Sequence, residues 1–256
     1  MISITPTKLA DYLNCPLKYK LRHMQKSGGL PSSPALSFGN TMHQALQAIH
    51  TGRNIPVTVD ESTQLLKRFW DKKAYSTREE AAEYFNKGCC SLENYCKATV
   101  ESKAETLGTE VFMSLIIDFK GHKIRLGCKA DRLALHPDKV LQLIDYKTSR
   151  SGKIPTAEYL KTDLPTFLYF ILARLTYSQY PKLKITFLNV LTMSETSIEY
   201  EKPVIDENRK MLWEQMKRII SGDFKPRISE CCAWCDYKDE CPATNRVVDY
   251  REIQEL

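Results

Sequence analysis

The stretch Val140-Leu-Gln-Leu-Ile-Asp145-Tyr-Lys147-Thr-Ser149 decides how this chain is read. Side chains of a strand alternate between its faces, so Leu141, Leu143, Asp145 and Lys147 share one face. Val140, Ile144 and Tyr146 largely define the other. Both faces are apolar up to Asp145, the pattern of a central strand covered on both sides. A carboxylate and an ammonium then emerge together at its end. The preceding strand sequence, Leu126-Gly-Cys-Lys-Ala-Asp131-Arg-Leu133, brings a second carboxylate. Asp131 can meet Asp145 across the sheet, and two carboxylates offer hard oxygen ligands for Mg²⁺ or Mn²⁺. Such an ion activates water and clamps a scissile phosphate. Lys147 is placed to orient the nucleophile and to offset charge developing on phosphorus. Asp-x-Lys alone carries no weight, because it recurs at Asp71, Asp118, Asp223 and Asp236, where solvated ion pairs suffice. Asp145 differs because an apolar strand precedes it and an Asp-bearing strand precedes that.

Outward from this pair, the chain reads as α/β. Short β-rich runs cover Val111 to Phe119, His122 to Ala130 and Arg132 to Leu135, with Gly121 and His136-Pro137-Asp138 as turns. One helix is expected from about Tyr159 to Tyr177 and a strand over Leu183 to Leu191. A partner strand near Ser197 to Tyr200 and a helix over Asp206 to Ile220 follow. Strands, a helix and another strand make an α/β sandwich. Upstream, Met1 to Leu21 is a short extended piece followed by a helix with Leu9, Leu13, Leu17 and Leu21 in register. Gln25 to Leu36 is a loop, and Phe38 to His50 is a helix entered through Gly39. Asp60 to Thr106 holds two or more helices, with a capping-box signature at Thr77-Arg-Glu-Glu80. The whole chain reads as one domain, 1–256: N-terminal helices over 1–50, a helical insertion over 51–107, the core over 108–203, and a C-terminal helix with a cysteine cluster over 204–256.

Charged residues make up 27% and hydrophobic residues 43% of the 256, ordinary values for a globular protein. No apolar run approaches the roughly 18 residues of a membrane span. Lys8, Asp11, Asn14 and Lys18 interrupt the first twenty residues, so an export signal is not expected and a cytoplasmic protein is. In that compartment nine cysteines point to reduced thiols or metal ligands rather than disulfides. The net charge of +6 is compatible with nucleic acid. Cys15 stands near the start; Cys232-x2-Cys235-x5-Cys241 stands near the end. Four thiolates can hold a [4Fe–4S] cluster or Zn²⁺, and either would tie the termini together. Cys89, Cys90, Cys96 and Cys128 sit in helix or strand patterns and read as core thiols. Lys8, Lys18, Lys20, Arg22 and Lys26, interleaved with Tyr12 and Tyr19, form a candidate DNA-contacting run. Arg150 and Lys153, just after the lysine motif, are better placed to meet phosphate. Trp234 is expected to pack on the cysteine centre.

These residues resemble the PD-(D/E)XK nucleases, and within them the RecB/AddB-like branch. The Asp131 and Asp145-Tyr-Lys147 strands match the core motif. Leu9-x2-Tyr12-x2-Cys15-Pro16-x2-Tyr19-Lys20 matches that branch's opening motif, Phe38-Gly39-Asn-x2-His43 its histidine motif, and Cys232-x2-Cys235-x5-Cys241-Pro242 its iron–sulfur motif. The resemblance spans nearly the whole chain in order. It implies a restriction-endonuclease-like core sheet flanked by helices, with termini stapled by a [4Fe–4S] cluster on Cys15, Cys232, Cys235 and Cys241. It implies a Mg²⁺ or Mn²⁺ site on His43, Asp131, Asp145 and the Tyr146 main-chain carbonyl, with Lys147 catalytic and Glu110 an additional acid. The implied activity is DNA cleavage, commonly exonucleolytic on single strands or duplex ends. Tyr12, Lys20, Arg150, Lys153 and Tyr169 are the candidate DNA contacts. The family includes recombination and CRISPR adaptation nucleases, which implies a helicase or integrase partner; the chain carries no helicase motor of its own.

Two departures accompany the resemblance. Relatives carry Gln four residues before the helical Tyr, where this chain has Pro165 before Tyr169; the usual Gly three residues before the first Asp is Cys128, with Gly127 one place earlier. Proline offers no side-chain amide. The competing reading is therefore a catalytically impaired DNA-binding or complex-building subunit. A zinc-stapled structural protein is a third.

Overall fold

The computed structural model of the chain describes residues 1–25, 33–51, 58–101, 103–149 and 151–243. A six-stranded mixed sheet forms its centre. Strands β2 (Glu105–Phe119) and β3 (His122–Leu135) make a long antiparallel hairpin. It turns at Lys120 and Gly121, whose φ values of 53° and 78° give the left-handed two-residue turn that suits twisted strands. Strand β1 (Ile2–Ile4) pairs in parallel with Ile124–Leu126 of β3. Strand β4 (Val140–Lys147) pairs antiparallel with Arg132–Leu135 of β3. Because β2 runs along one edge of β3, β1 and β4 share the other edge. Between them, among the described residues, residues 127–131 of β3 have no strand beside them on that edge. Beyond β4 come β5 (Lys182–Asn189), parallel to it, and β6 (Ser194–Ile198), antiparallel to β5.

Helices cover both faces. On one, α1 (Pro6–Asn14), α7 (Leu164–Thr176) and α8 (Lys202–Ile220) bury Leu9, Phe167 and Leu212 over Leu126, Leu133 and Leu143. On the other, α3 (Pro34–His50), α4 (Val59–Phe69) and α5 (Arg78–Glu101) bury Met42, Leu46, Leu66 and Leu92 over Ala134, Ile144 and Tyr146. A fully buried aliphatic or aromatic side chain of this kind contributes roughly 1.5–3 kcal/mol. The remaining α-helices among the described residues are short: α2 (Pro16–Tyr19), followed by a π-turn over Lys20–Gln25, and α6 (Ala157–Thr162). The α/β reading and the central position of β4 stand, with Leu143 and Ile144 facing opposite cores as alternation requires.

Several local expectations need correction. The runs His122 to Ala130 and Arg132 to Leu135 are one strand. Its inward set changes phase near Asp131: Ile124, Leu126, Cys128 and Ala130 face the same core as Leu133. Opposite Asp131 on the hairpin, Glu110 takes φ 51°, and the ladder passes from Thr109↔Arg132 to Val111↔Ala130. The helix expected over Tyr159 to Tyr177 is two helices. Asp163 ends α6 and caps α7, accepting from the Thr166 amide (2.9 Å) and hydroxyl (2.6 Å), and Pro165 occupies the first turn. Helix α3 begins at Pro34 under a Ser33 cap, so Gly39 lies inside it. The partner strand ends at Ile198 instead of starting near Ser197, and α8 starts four residues earlier than expected, at Lys202.

Candidate metal and nuclease site

The uncovered stretch of β3 forms the floor of a cleft of about 550 Å³. Thr5, Pro6 and Thr7, where β1 gives way to α1, form one wall; Asn40, His43, Gln44 and Gln47 of α3 form another. Glu110, Asp131, Asp145 and Tyr169 project into it. The ligand atoms of His43, Glu110 and Asp131 lie within 4.8 Å of one another. His43 Nδ1 is 3.2 Å from Asp131 Oδ1. The β3–β4 ladder stops at Arg132↔Ile144, and the next available amide, that of Tyr146, donates instead to Asp131 Oδ2 at 2.7 Å. Strand separation thus orients the carboxylate. Gly39 lies where an added Cβ would come within 3.1 Å of Thr148 Oγ1, so its bareness lets α3 approach the end of β4 and bring His43 over the site.

Asp145 stands on the other side of this group. Its Oδ1 accepts from the Tyr169 hydroxyl at 3.3 Å and its Oδ2 lies 2.6 Å from Lys147 Nζ. Oδ2 is buried against that ammonium. Burial raises the Asp145 pKa and the Asp131 charge adds to this, while Lys147 opposes both. Burial would lower the His43 pKa, but the hydrogen bond and charge of Asp131, with Asp145 and Glu110 behind it, leave it raised. Burial beside Asp145 raises Tyr169 far out of reach of ionisation, so it remains a hydroxyl donor. Burial likewise pushes the Cys128 thiol up to about 12.

A family model described as PD-(D/E)XK nuclease superfamily matches residues 3–242. The chain belongs to that superfamily. A crystal structure from Eubacterium rectale described as "Putative exonuclease" superposes with a TM-score of 0.54 at 15% identity, covering 96% of this chain and 89% of that one. A second, described as SSO0001, covers 90% and 95% at 17% identity, with a TM-score of 0.40. No curated protein sequence matches the chain.

The residues fit the divalent metal that PD-(D/E)XK nucleases use: one imidazole and three carboxylates converge on one cleft. Of the sequence candidates, His43, Glu110, Asp131, Asp145 and Tyr169 come together there, with Lys147 on Asp145. Tyr146 contributes its amide, while its side chain is buried in the opposite core. Sequence reading missed Lys129, which pairs with Glu110 at the cleft wall. Its place two residues before Asp131 was the available signal. It also missed the buried network behind the site. Tyr95 OH bonds Tyr146 OH at 2.6 Å and His50 Nε2 at 2.5 Å; Arg132 bonds Thr106 Oγ1 at 3.0 Å and Tyr95 OH at 3.4 Å. This ties α3, α5, β2, β3 and β4 together immediately beneath the carboxylates.

The N-terminal aromatic run is corrected. Tyr12 is 1% exposed, with its hydroxyl donated to the Asp223 carbonyl at 2.9 Å. It packs edge-on to Tyr19 and Phe224, so neither of its faces can receive a base. Lys18 and Arg22 pair with Asp11, and Lys20 is half-buried. Lys153 is exposed beyond β4; Arg150 and Lys26 lie outside the described residues. Cys96 and Cys128 are buried and Cys89 half-buried, as core thiols should be, but Cys90 is exposed. At the far end, Cys15, Cys232, Cys235 and Cys241 line one cavity of about 110 Å³, with Cys231 also in its wall. The Arg227 amide donates to Cys15 Sγ at 3.4 Å. Trp234 lines the same cavity yet is 71% exposed, so it does not pack as an interior residue.

Proposed function

We propose that the protein is a metal-dependent deoxyribonuclease, most simply an exonuclease acting on single-stranded DNA or DNA ends, with the whole chain 1–256 as its nuclease domain. The observation that carries this is the convergence of His43, Glu110 and Asp131 within 4.8 Å at a cleft that also holds Asp145 and Tyr169, with Lys147 on Asp145. In this reading His43, Asp131, Asp145 and the Tyr146 carbonyl hold Mg²⁺ or Mn²⁺, with Glu110 as an additional acid. The bound cation supplies water activation and charge neutralisation at phosphorus. Lys147 offsets charge on the phosphate oxygens, and Tyr169 orients Asp145 through its hydroxyl. Arg150, Lys153 and Lys20 contact the DNA backbone.

We assign Cys15, Cys232, Cys235 and Cys241 to a [4Fe–4S] cluster. Their shared cavity supports it. Structural zinc sites are commonly built from two Cys-x2-Cys pairs, whereas this chain has one such pair, Cys232-x2-Cys235, with a distant Cys15. The RecB/AddB-like motif order favours a helicase or integrase as partner. Digestion of end-labelled single- and double-stranded DNA with Mn²⁺ tests the function. Asp145→Ala and Lys147→Ala should each lose about 100-fold or more, the scale of one electrostatic catalytic group. Full activity in both variants rejects the site. DNA binding without any cleavage by the wild type would instead favour the impaired-subunit reading raised by Pro165.

A further inference from the structure

A second cleft adjoins the first. It lies between α3 and α4, measures about 740 Å³, and is walled by Gln44 and Gln47 of α3 with Gln64, Arg68 and Phe69 of α4. Gln44 and Gln47 wall the His43 cleft as well. Residues three and four apart share a helical face, so one stripe of α3, from Asn40 through Gln44 and Gln47 to Thr51, runs along both clefts. At about 1.5 Å per residue the stripe rises about 12 Å from His43 to Thr51.

The chemistry of the wall is that of a polynucleotide track. Carboxamides can donate to phosphate or base acceptors and accept from base amino groups. The exposed Arg68 guanidinium lies 5.4 Å from the centre of the Phe69 ring, offering positive charge beside an aromatic plane. The carboxylate among these lining residues, Glu61, is turned toward the start of α4, where its Oε2 accepts from the Thr58 amide (2.9 Å) and hydroxyl (3.2 Å). Carboxamides address the Watson–Crick edges of bases, which an unpaired strand presents and a duplex hides.

We propose that the α3–α4 groove carries the unpaired strand of a polynucleotide on one side of the phosphate cleaved at His43, Asp131 and Asp145; this rests on the nuclease reading. The test compares wild type with Arg68→Ala and Gln64→Ala on two substrates in Mn²⁺. One is thymidine 5′-(p-nitrophenyl phosphate), a diester confined to the metal cleft; the other is a labelled 20-nucleotide single strand. Arg68→Ala should leave the small diester within about twofold, raise KM for the strand about fivefold, and reduce the salt slope by about 0.7 for one lost phosphate contact. Gln64→Ala should change the strand alone. Unchanged strand kinetics in both variants overturn the proposal, as does an equal loss on both substrates. If wild type cleaves neither substrate, the nuclease reading fails separately. The groove is then judged by fluorescence anisotropy of the labelled strand on metal-free protein, which Arg68→Ala must weaken about fivefold; unchanged binding overturns it. Tighter binding of duplex than of single strand also overturns it.

Discussion

Asp145 concentrates the conflict between stability and function in this molecule. The residue is 8% exposed and its pKa is raised by burial and by Asp131, so the folded chain resists the charge it carries near neutral pH. A folded pKa above the unfolded value means that ionising the group costs stability as pH rises through the unfolded pKa. Asp145→Asn should therefore raise the melting temperature of the metal-free protein at pH 7. The same change should abolish stabilisation by Mn²⁺, which in wild type should reach about 2.7 kcal/mol at a hundredfold excess over Kd. That is about 5–10 °C for a chain of this size. Thermal melts with and without Mn²⁺ decide it; an asparagine variant that is less stable without metal and still responds to metal sinks the assignment. Asp145 was legible in the chain because alternation along an apolar strand placed its carboxylate, and Asp131 because it stands on the strand sequence just before. His43 and Glu110 were reached only through family likeness, since neither a lone helical histidine nor an acid at φ 51° announces its direction. Tyr12 was misread because nothing in its spacing distinguishes a core tyrosine from a stacking one.

Among the elements, α3 connects the site to the opposite core. Its His43 end faces the metal cleft and its His50 end lies in the Tyr95–Tyr146–Arg132 network. Burial, reinforced by the Arg132 charge, lowers the His50 pKa to about 3. The unfolded chain thus binds a proton that the folded chain refuses between about pH 6.5 and 3. Stability from this residue is complete above about pH 6.5 and lost as pH falls, at up to about 1.4 kcal/mol per pH unit. Denaturant melts between pH 6.5 and 5 should show a shallower pH slope in His50→Gln than in wild type; identical slopes would refute the assignment. None of this network was visible from sequence, because its members are dispersed from residue 50 to residue 146 and only the sheet register gathers them. The break between α6 and α7 was encoded locally, in Asp163 followed by Pro165, a cap and a first-turn proline. It was overlooked because the apolar spacing continues across it.

At the scale of the whole molecule, the N-terminal helices meet the segment that follows α8. Tyr12 bonds Asp223, Arg227 bonds both the Leu13 carbonyl and Cys15, and the four motif cysteines share one cavity. If a cluster closes that loop of roughly 200 residues, the chain-entropy relation for cross-links assigns it about 5 kcal/mol. Cys15→Ser and Cys241→Ser should then lower the melting temperature alike, bleach absorbance near 400 nm, and lose iron together. A Cys15→Ser protein with unchanged iron and stability would remove Cys15 from the staple.

The chain by itself determined most of the strands, the central position of β4, and the two aspartates and the lysine as one candidate set, because alternation and spacing are local and periodic. Tertiary structure decided the rest. The cleft exists because β1 and β4 divide one edge of β3 between them, and the phase change near Asp131 turns its carboxylate toward His43. Which tyrosines reach the site, and which are locked in a core, depends on contacts between residues far apart in sequence, and no local pattern encodes those contacts.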